Sequence, residues 1–548
     1  MFTLHVFDIP HINDSITQYL SQRDLAHCAL VSKNWNFWFT PPLWRHPKIK
    51  PSSIPLTALT QRNNFHVHSF DNFTIELASI SPTPSYPNLQ SLSYNSNRTT
   101  PDEEVIVLRF IKSIQSLQNL TLVLSLSQDG SHSELLDTIQ ALPRLKEIDL
   151  TCYHTTSPVI IQQIIQTCSH YEALRLSIGG QVSLREGEEQ GLCDFAMAAV
   201  SRMQPTKIRE LSVTLSSEKQ EYAILPTLLE RCPLLENLRM EMVRHSNTLS
   251  QVRRVLELGK CPRLKSVRLG WVVSYETREE DILTLLRVTG SGSTNGDGFG
   301  DNGDPDGLGN LAWEMNGTPL KRGGLEIFGL DSTFPFNRAW VEALTHHHAN
   351  TLTVLDLMNL RQIPIDLVVG LVSGLPELQS LKVAIWLKFE GTPDADTLLN
   401  TQWSCLGLKI LKLGIQLSDD FTTEVTHVSG NGSLGDLCMG YLFSQIGRLT
   451  KLEEWGLSTW IDLLSIENGY LSWLPQLKQL RGLNLRQYPN GMMGAVEAEW
   501  MMEHWTKLVH VKMYTGRGLR NLCDTEESPF HAAKRVFLAK KPWMQIDQ

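Results

Sequence analysis

A six-residue apolar template, Leu-x-x-Leu-x-Leu with conservative exchanges, begins fourteen times in the 548 residues. Its first members are Leu89, Leu117, Leu145, Tyr171, Ile208, Leu235, Leu264, Leu325, Leu352, Leu378, Leu408, Leu452, Leu480 and Leu508. Most intervals are 26 to 30 residues, and three are longer: 37 after Tyr171, 61 after Leu264 and 44 after Leu408. Alternation within the template is that of a strand with one buried face. Between templates the spacing turns helical, as in EEVIVLRFIKSIQSL (103–117), SPVIIQQIIQTC (157–168), LSQVRRVLELG (249–259) and NRAWVEALTHHH (337–348). Proline follows the helical stretch at a fixed point in LPRLKEIDL, CPLLENLRM, CPRLKSVRL and LPELQSLKV, because it cannot continue a helix. One strand and one helix cannot bury their apolar faces alone, so such units must stack on one another. Domain counting by length assumes compact units and does not apply to such a chain.

These segments resemble the longer, cysteine-containing class of leucine-rich repeat over roughly residues 85 to 515. The resemblance implies an α/β fold: a curved solenoid with a parallel concave sheet and outer helices. The three long intervals are expected to hold insertions. One of them contains the acidic low-complexity run GSGSTNGDGFGDNGDPDGLGN (290–310), read as a flexible loop. Its Asn302, Asp304, Asp306 and Gly307 imitate half of a calcium-binding loop, but Pro305 intrudes and Trp313 stands where the bidentate Glu belongs.

Composition narrows the function classes. Hydrophobic residues make up 42% and suffice for a large core, while 49 Lys and Arg against 58 Asp and Glu leave a net charge of −9. That balance argues against a general electrostatic grip on nucleic acid or an anionic membrane. No run approaches the ~18 to 20 apolar residues of a membrane span, and the opening MFTLHVFDIP has no secretory pattern. The expected location is cytoplasmic and/or nuclear, where the sequons at Asn72, Asn97, Asn119, Asn316 and Asn431 have no role. Nine cysteines without a C-x-x-C pair read as reduced, mostly buried apolar residues, with no metal or cofactor implied. His346, His347 and His348 are consecutive on a helix, so they cannot converge on one ion and read as a solvated helix end.

Residues 7–44, FDIPHINDSITQYLSQRDLAHCALVSKNWNFWFTPPLW, lack the template. Ile12, Ile16 and Leu20 form a helical stripe. Ser21 and Asp24 make a capping box for a second helix striped by Leu25, Cys28, Val31 and Trp35. This segment resembles an F-box. The motif residues are Ile9-Pro10, Ile12, Ile16, Leu20, Asp24-Leu25, Val31, Lys33, Trp35, Pro42, Leu43 and Trp44. Ile9 replaces the common leucine, and Ile12 stands where a glutamate is frequent. The alternative is a plain helical cap on the repeats, but three short helices cannot bury all the apolar side chains they carry.

The resemblance implies docking on the Skp-type adaptor of a cullin-RING ubiquitin ligase through Ile9, Pro10, Ile12, Ile16, Leu20, Leu25, Leu43 and Trp44, with Val31 and Trp35 holding the module's own core. It divides the chain into an F-box at 1–50, a linker or first cap at 51–84, repeats at 85–515, and a carboxy-terminal cap or tail at 516–548.

The residue between the last two template apolars should face away from the core. In order these are Ser93, Thr121, Asp149, Arg175, Ser212, Arg239, Arg268, Gly329, Asp356, Lys382, Lys412, Gly456, Asn484 and Lys512. Six of the fourteen are basic, against 49 of 548 in the whole chain. Arg175, Arg239, Arg268, Lys382, Lys412 and Lys512 are therefore the candidate contacts for a protein substrate that is phosphorylated or acidic, with Trp271 and Trp386 as aromatic anchors. No nucleophile, phosphate-loop or metalloprotease motif is present. The expected function is a non-catalytic substrate receptor of an SCF-type ligase in ubiquitin-dependent degradation. Alternatives are a leucine-rich-repeat scaffold or a leucine-rich-repeat GTPase-activating protein, neither of which needs residues 7–44.

Overall fold

The structure, a computed structural model, describes residues 9–47, 63–79, 85–95, 100–125, 131–153, 158–179, 204–215, 218–243, 246–272, 279–290, 324–332, 335–360, 363–387, 401–417, 434–459, 464, 466, 470–487, 493–515 and 529–547. Residues 291–323, with the acidic run and its calcium-loop imitation, lie outside them. Two compact units divide the chain, Met1–Leu238 and Arg239–Gln548.

Every template forms a strand, and every recorded pairing is parallel. In the first unit the column Ser93, Thr121, Asp149, Arg175, Ser212 is in register from strand to strand. In the second unit the same column runs unbroken through Arg268, Gly329, Asp356, Lys382, Lys412, Gly456, Asn484 and Lys512. Template apolars alternate with these positions and are buried under the helices. The strand Asn119–Leu124, for example, buries Leu120, Leu122 and Leu124 and leaves its other side open.

A shared turn sets that register. Eleven of the template's first residues donate their N–H to the carbonyl three residues earlier, at 2.9 to 3.4 Å, as Leu117 does to Ile114, Tyr171 to Cys168 and Leu508 to Trp505. The accepting residue is always buried, and is Cys168, Cys232, Cys261 and Cys405 in four repeats. In those four repeats the side chain under the turn is small and apolar. Burial pushes the Cys168, Cys232 and Cys405 thiols up to about 12, so at neutral pH they are protonated packing groups.

The long intervals leave the sheet intact. Ala173–Gly179 pairs directly with Glu210–Leu215, Ser266–Val272 with Ile327–Ser332, and Ile410–Leu417 with Glu454–Thr459. The fourteen template strands are joined by three others among the described residues, for seventeen in all. Ser69–Phe73 adds a strand before the first template and Gln545–Asp547 one after the last, while Ile363–Pro364 extends the ladder beside Trp386. Ser69–Phe73 escapes the template because it is bulged. Its pairing shifts between Phe70 and Phe73, so the apolar spacing becomes Val67, Phe70, Phe73. All three are buried.

The helix Ser246–Glu257 ends on Gly259 at φ 73°, a left-handed position that favours glycine, and Pro262 follows. A different constraint holds Gly270, in the strand Ser266–Val272. The pairing of that strand shifts between Leu269 and Trp271, and a Cβ on Gly270 would stand 2.1 Å from the Glu241 carbonyl oxygen. Backbone must move to admit any side chain there. Gly270→Ala is expected to cost about 2 to 3 kcal/mol in urea unfolding. A variant as stable as the parent would show that the strands are not pressed together at this point.

Of the three histidines, His346 is exposed and His347 half-buried, but His348 does not belong to a solvated helix end. His348 is 1% exposed in the last turn of the helix Arg338–His348. Leu325 N–H donates to its Nδ1 at 3.0 Å, which places the ring proton on Nε2, 2.9 Å from the Leu286 carbonyl. One neutral imidazole thus joins backbone groups of the helix Glu279–Gly290 and of the template start at Leu325. Glycine makes room for the ring: a Cβ on Gly290 or Gly324 would lie 2.9 or 3.0 Å from it. Desolvation lowers its pKa to about 4.

Candidate functional site

Three helices occupy the amino-terminal described residues: α1 (Pro10–Thr17), α2 (Gln22–Val31) and α3 (Lys33–Arg45). The Ser21/Asp24 capping box forms as the spacing predicts, and the Ser21 hydroxyl holds the Asp24 carboxyl below its ordinary range. Ser32 caps α3 through the Trp35 N–H. Arg45 pairs with Asp14 at 3.1 Å and ties α3 to α1. The module's core is Leu25, Ala29 and Phe39, with Leu20, Cys28, Trp35, Trp38 and Leu43 packed against it.

That core reassigns two residues. Leu25, expected at the docking face, is 5% exposed and belongs to the interior, where it cannot touch a partner. Val31, expected in the interior, is 65% exposed. The reason is helix phase. The stripe Leu25, Cys28, Val31, Trp35 assumed one continuous helix, but the chain breaks at Ser32, which is extended, and α3 restarts the count. Within α2 the inward pair is Leu25 and Ala29, four apart, and within α3 it is Trp35 and Phe39.

Apolar residues off those phases point to solvent: Leu30 at 81%, Phe37 at 77% and Tyr19 at 90%. Sequence reasoning missed them, although the signal was present, since Phe37 lies two residues from Trp35 and therefore on the opposite side of α3. Ile9, Ile12, Ile16, Leu20, Leu43 and Trp44 are half-buried, and the Pro10 side chain lies outside the description. The module is also joined to the first strand of the sheet. His68 N–H donates to the Arg45 carbonyl at 2.9 Å, and His46 Nδ1 lies 2.6 Å from the Ser69 hydroxyl. That junction leaves Tyr19, Leu30, Val31 and Phe37 uncovered.

On the helix-free face of the sheet, five of the six candidate cations divide into two kinds. Arg239 is paired at 2.6 Å with Glu241, two residues along its own strand, and Lys382 at 2.6 Å with Asp356 on the neighbouring strand. Arg175 is 3.8 Å from Asp149. These three are largely neutralised by acids of the same face. Arg268 and Lys412 have no such ion pair among the described residues. Each instead lies over a glycine on the next strand, since a Cβ on Gly329 would meet Arg268 Cγ at 3.3 Å and one on Gly456 would meet Lys412 Cγ at 3.0 Å. Lys512 and Lys412 line one depression. Trp271 is 59% exposed; Trp386 is in the strand Ser380–Leu387, with its side chain outside the description.

Residues 10–50 match the family model described as F-box-like. The chain therefore carries an F-box-like domain followed by leucine-rich repeats. No curated protein matches it. Among solved structures, the yeast Rad7–Elc1 complex aligns over 94% of this chain and 95% of the matched one, at 12% identity and a TM-score of 0.37. The leucine-rich-repeat protein LegL7 from Legionella pneumophila aligns over 78% and 96%, at 14% identity and a TM-score of 0.26.

Proposed function

We propose that this chain is the substrate-recognition subunit of an SCF-type cullin-RING ubiquitin ligase, acting in the cytoplasm or nucleus, with the F-box-like domain docking on a Skp-type adaptor and the repeats receiving a protein substrate. The observation that carries this reading is the combination of an F-box-like match over residues 10–50 with Tyr19, Leu30, Val31 and Phe37 in solvent on a module that already has its own core. Large apolar side chains held out of a formed core lower the free energy of a complex that covers them, at about 1.5 to 3 kcal/mol for each one fully buried, before the cost of association. The chain's contribution is binding and proximity, and bond making belongs to other subunits.

The test is adaptor capture by the full-length chain. Leu30→Glu combined with Phe37→Glu is expected to reduce recovery of the adaptor and cullin about tenfold or more, with an unchanged melting temperature because neither side chain is in the core. Leu43→Ala with Trp44→Ala is a weaker design, since Leu43 packs against the core and its loss also disturbs folding. Undiminished recovery with both Leu30 and Phe37 reversed would count against docking through this face.

A further inference from the structure

The pairing shift in the strand Ser266–Val272, within the second unit, does more than press Gly270 on its neighbour. Arg268 pairs with Gly329 and Trp271 with Asp331, so three steps along one strand match two along the next. Such a bulge re-aims the side chain that follows it. Leu269 is buried, and strict alternation would send Trp271 inward after it. Instead Trp271 is 59% exposed and Val272 is buried. The bulge thus turns onto the helix-free face a tryptophan that an unbroken strand would bury, and the chain forgoes the stabilisation its burial would bring. Among the described residues, no ring contact, cation or hydrogen bond engages the indole.

Acids stand on both neighbouring strands. On one side the Glu241 backbone lies against Gly270, and the Glu241 carboxylate is held by Arg239 at 2.6 Å. On the other, Asp331 is the in-register partner of Trp271, one rung or ~4.8 Å away. Its carboxylate accepts the Asn359 amide N–H at 3.0 Å and has no cation among the described residues. Arg268 occupies the preceding outward position of the Trp271 strand. It has no ion pair among the described residues and lies over Gly329, where no side chain covers it. Gly329 and Asp331 are two residues apart, so Arg268 and Trp271 are separated by roughly 6.6 Å along the strand. That is also the spacing of alternate side chains in an extended peptide.

We infer that Trp271 and Asp331 form the subsite where the repeats take a basic side chain, arginine or lysine, of an extended peptide, while Arg268 takes an acidic side chain two residues away in that peptide. The inference rests on the reading that the repeats receive a protein substrate, and it specifies which kind. A cation fits this place better than the alternatives. The indole face is the most favourable aromatic surface for a cation, and the Asp331 carboxylate beside it supplies the counter-charge. An apolar side chain laid there would desolvate that carboxylate without pairing it, and an acidic one would meet like charge. An acidic residue alone therefore satisfies Arg268 but leaves Trp271 and Asp331 unanswered.

The probe is a bead-displayed library of random decapeptides, selected on the full-length chain. Selected peptides are expected to carry Arg or Lys two residues from Asp or Glu. Trp271→Ala should weaken their binding about tenfold or more. Asp331→Asn, which still accepts from Asn359, should weaken it about fivefold. Melting temperatures should stay unchanged, because neither side chain is in the core. A selection repeated on Arg268→Glu should replace the acidic residue with a basic one and keep the residue that faces Trp271. Arg175→Glu, in the other unit, should change binding less than twofold. Selected peptides without a basic residue, or parental binding by Trp271→Ala and Asp331→Asn, would overturn the inference while leaving the repeats a peptide receptor. Selection of no peptide would overturn both. Adaptor capture by the same preparations reports separately on the F-box-like domain.

Discussion

Replacing His348 with leucine is expected to lower stability by about 3 kcal/mol at pH 7.5, because the Leu325 N–H and the Leu286 carbonyl both lose their buried partner. The same site predicts a pH dependence. The ring's pKa falls from 6.5 to about 4 in the folded chain, so the unfolded chain binds a proton that the folded one refuses. The contribution of His348 is thus complete above pH 6.5 and is lost as pH falls from 6.5 towards 4, to a total of about 3 kcal/mol. The Leu286 carbonyl opposes this shift by favouring a protonated ring, while His347 beside it pushes in the same direction as desolvation, since a positive charge there also disfavours protonation. Urea midpoints at pH 7.5 and pH 4.5 should therefore separate the parent from His348→Leu widely at the higher value and much less at the lower. Parallel curves at both values would mean that the imidazole is not neutral and enclosed.

Trp505 should be as consequential. It fills the buried turn position where most other repeats use cysteine or leucine, donates its Nε1–H to the Leu474 carbonyl at 3.0 Å, and stands edge-on to Trp455 and Trp500 at centroid distances of 6.3 and 5.6 Å. Trp505→Ala is expected to cost about 3 to 5 kcal/mol, combining a cavity with an orphaned carbonyl. Trp505→Leu restores the residue type found in other repeats and should cost clearly less, since it refills part of the volume. If the two variants unfold at the same urea concentration as the parent, the last repeats are not closed by this side chain.

Some of these features were legible before any coordinates. Repeat period, strand register and the outward column follow from residues close together in the chain, because alternation every two residues and helical spacing are properties of the local backbone. That is why Lys382 and Lys412 pair in register as their positions in the template require. The Ser21/Asp24 box was legible for the same reason, as both partners lie within one helical turn. The first strand was hidden only by the bulge between Phe70 and Phe73. The stripe through Val31 failed because a two-helix corner at Ser32 resets the phase, which spacing alone does not register.

The amino-acid order by itself determined that this chain stacks strand and helix units behind a short helical module, and which side chains line the open face. Tertiary structure alone decided which of those side chains remain available. Asp356 reaches Lys382 across 26 residues of sequence, and His348 reaches Leu286 across 62. Neither partnership leaves a mark in local periodicity. Ion pairing, burial of an imidazole and the approach of the Glu241 carbonyl to Gly270 depend on distances of a few ångströms between segments remote in the chain, and only folding sets those distances.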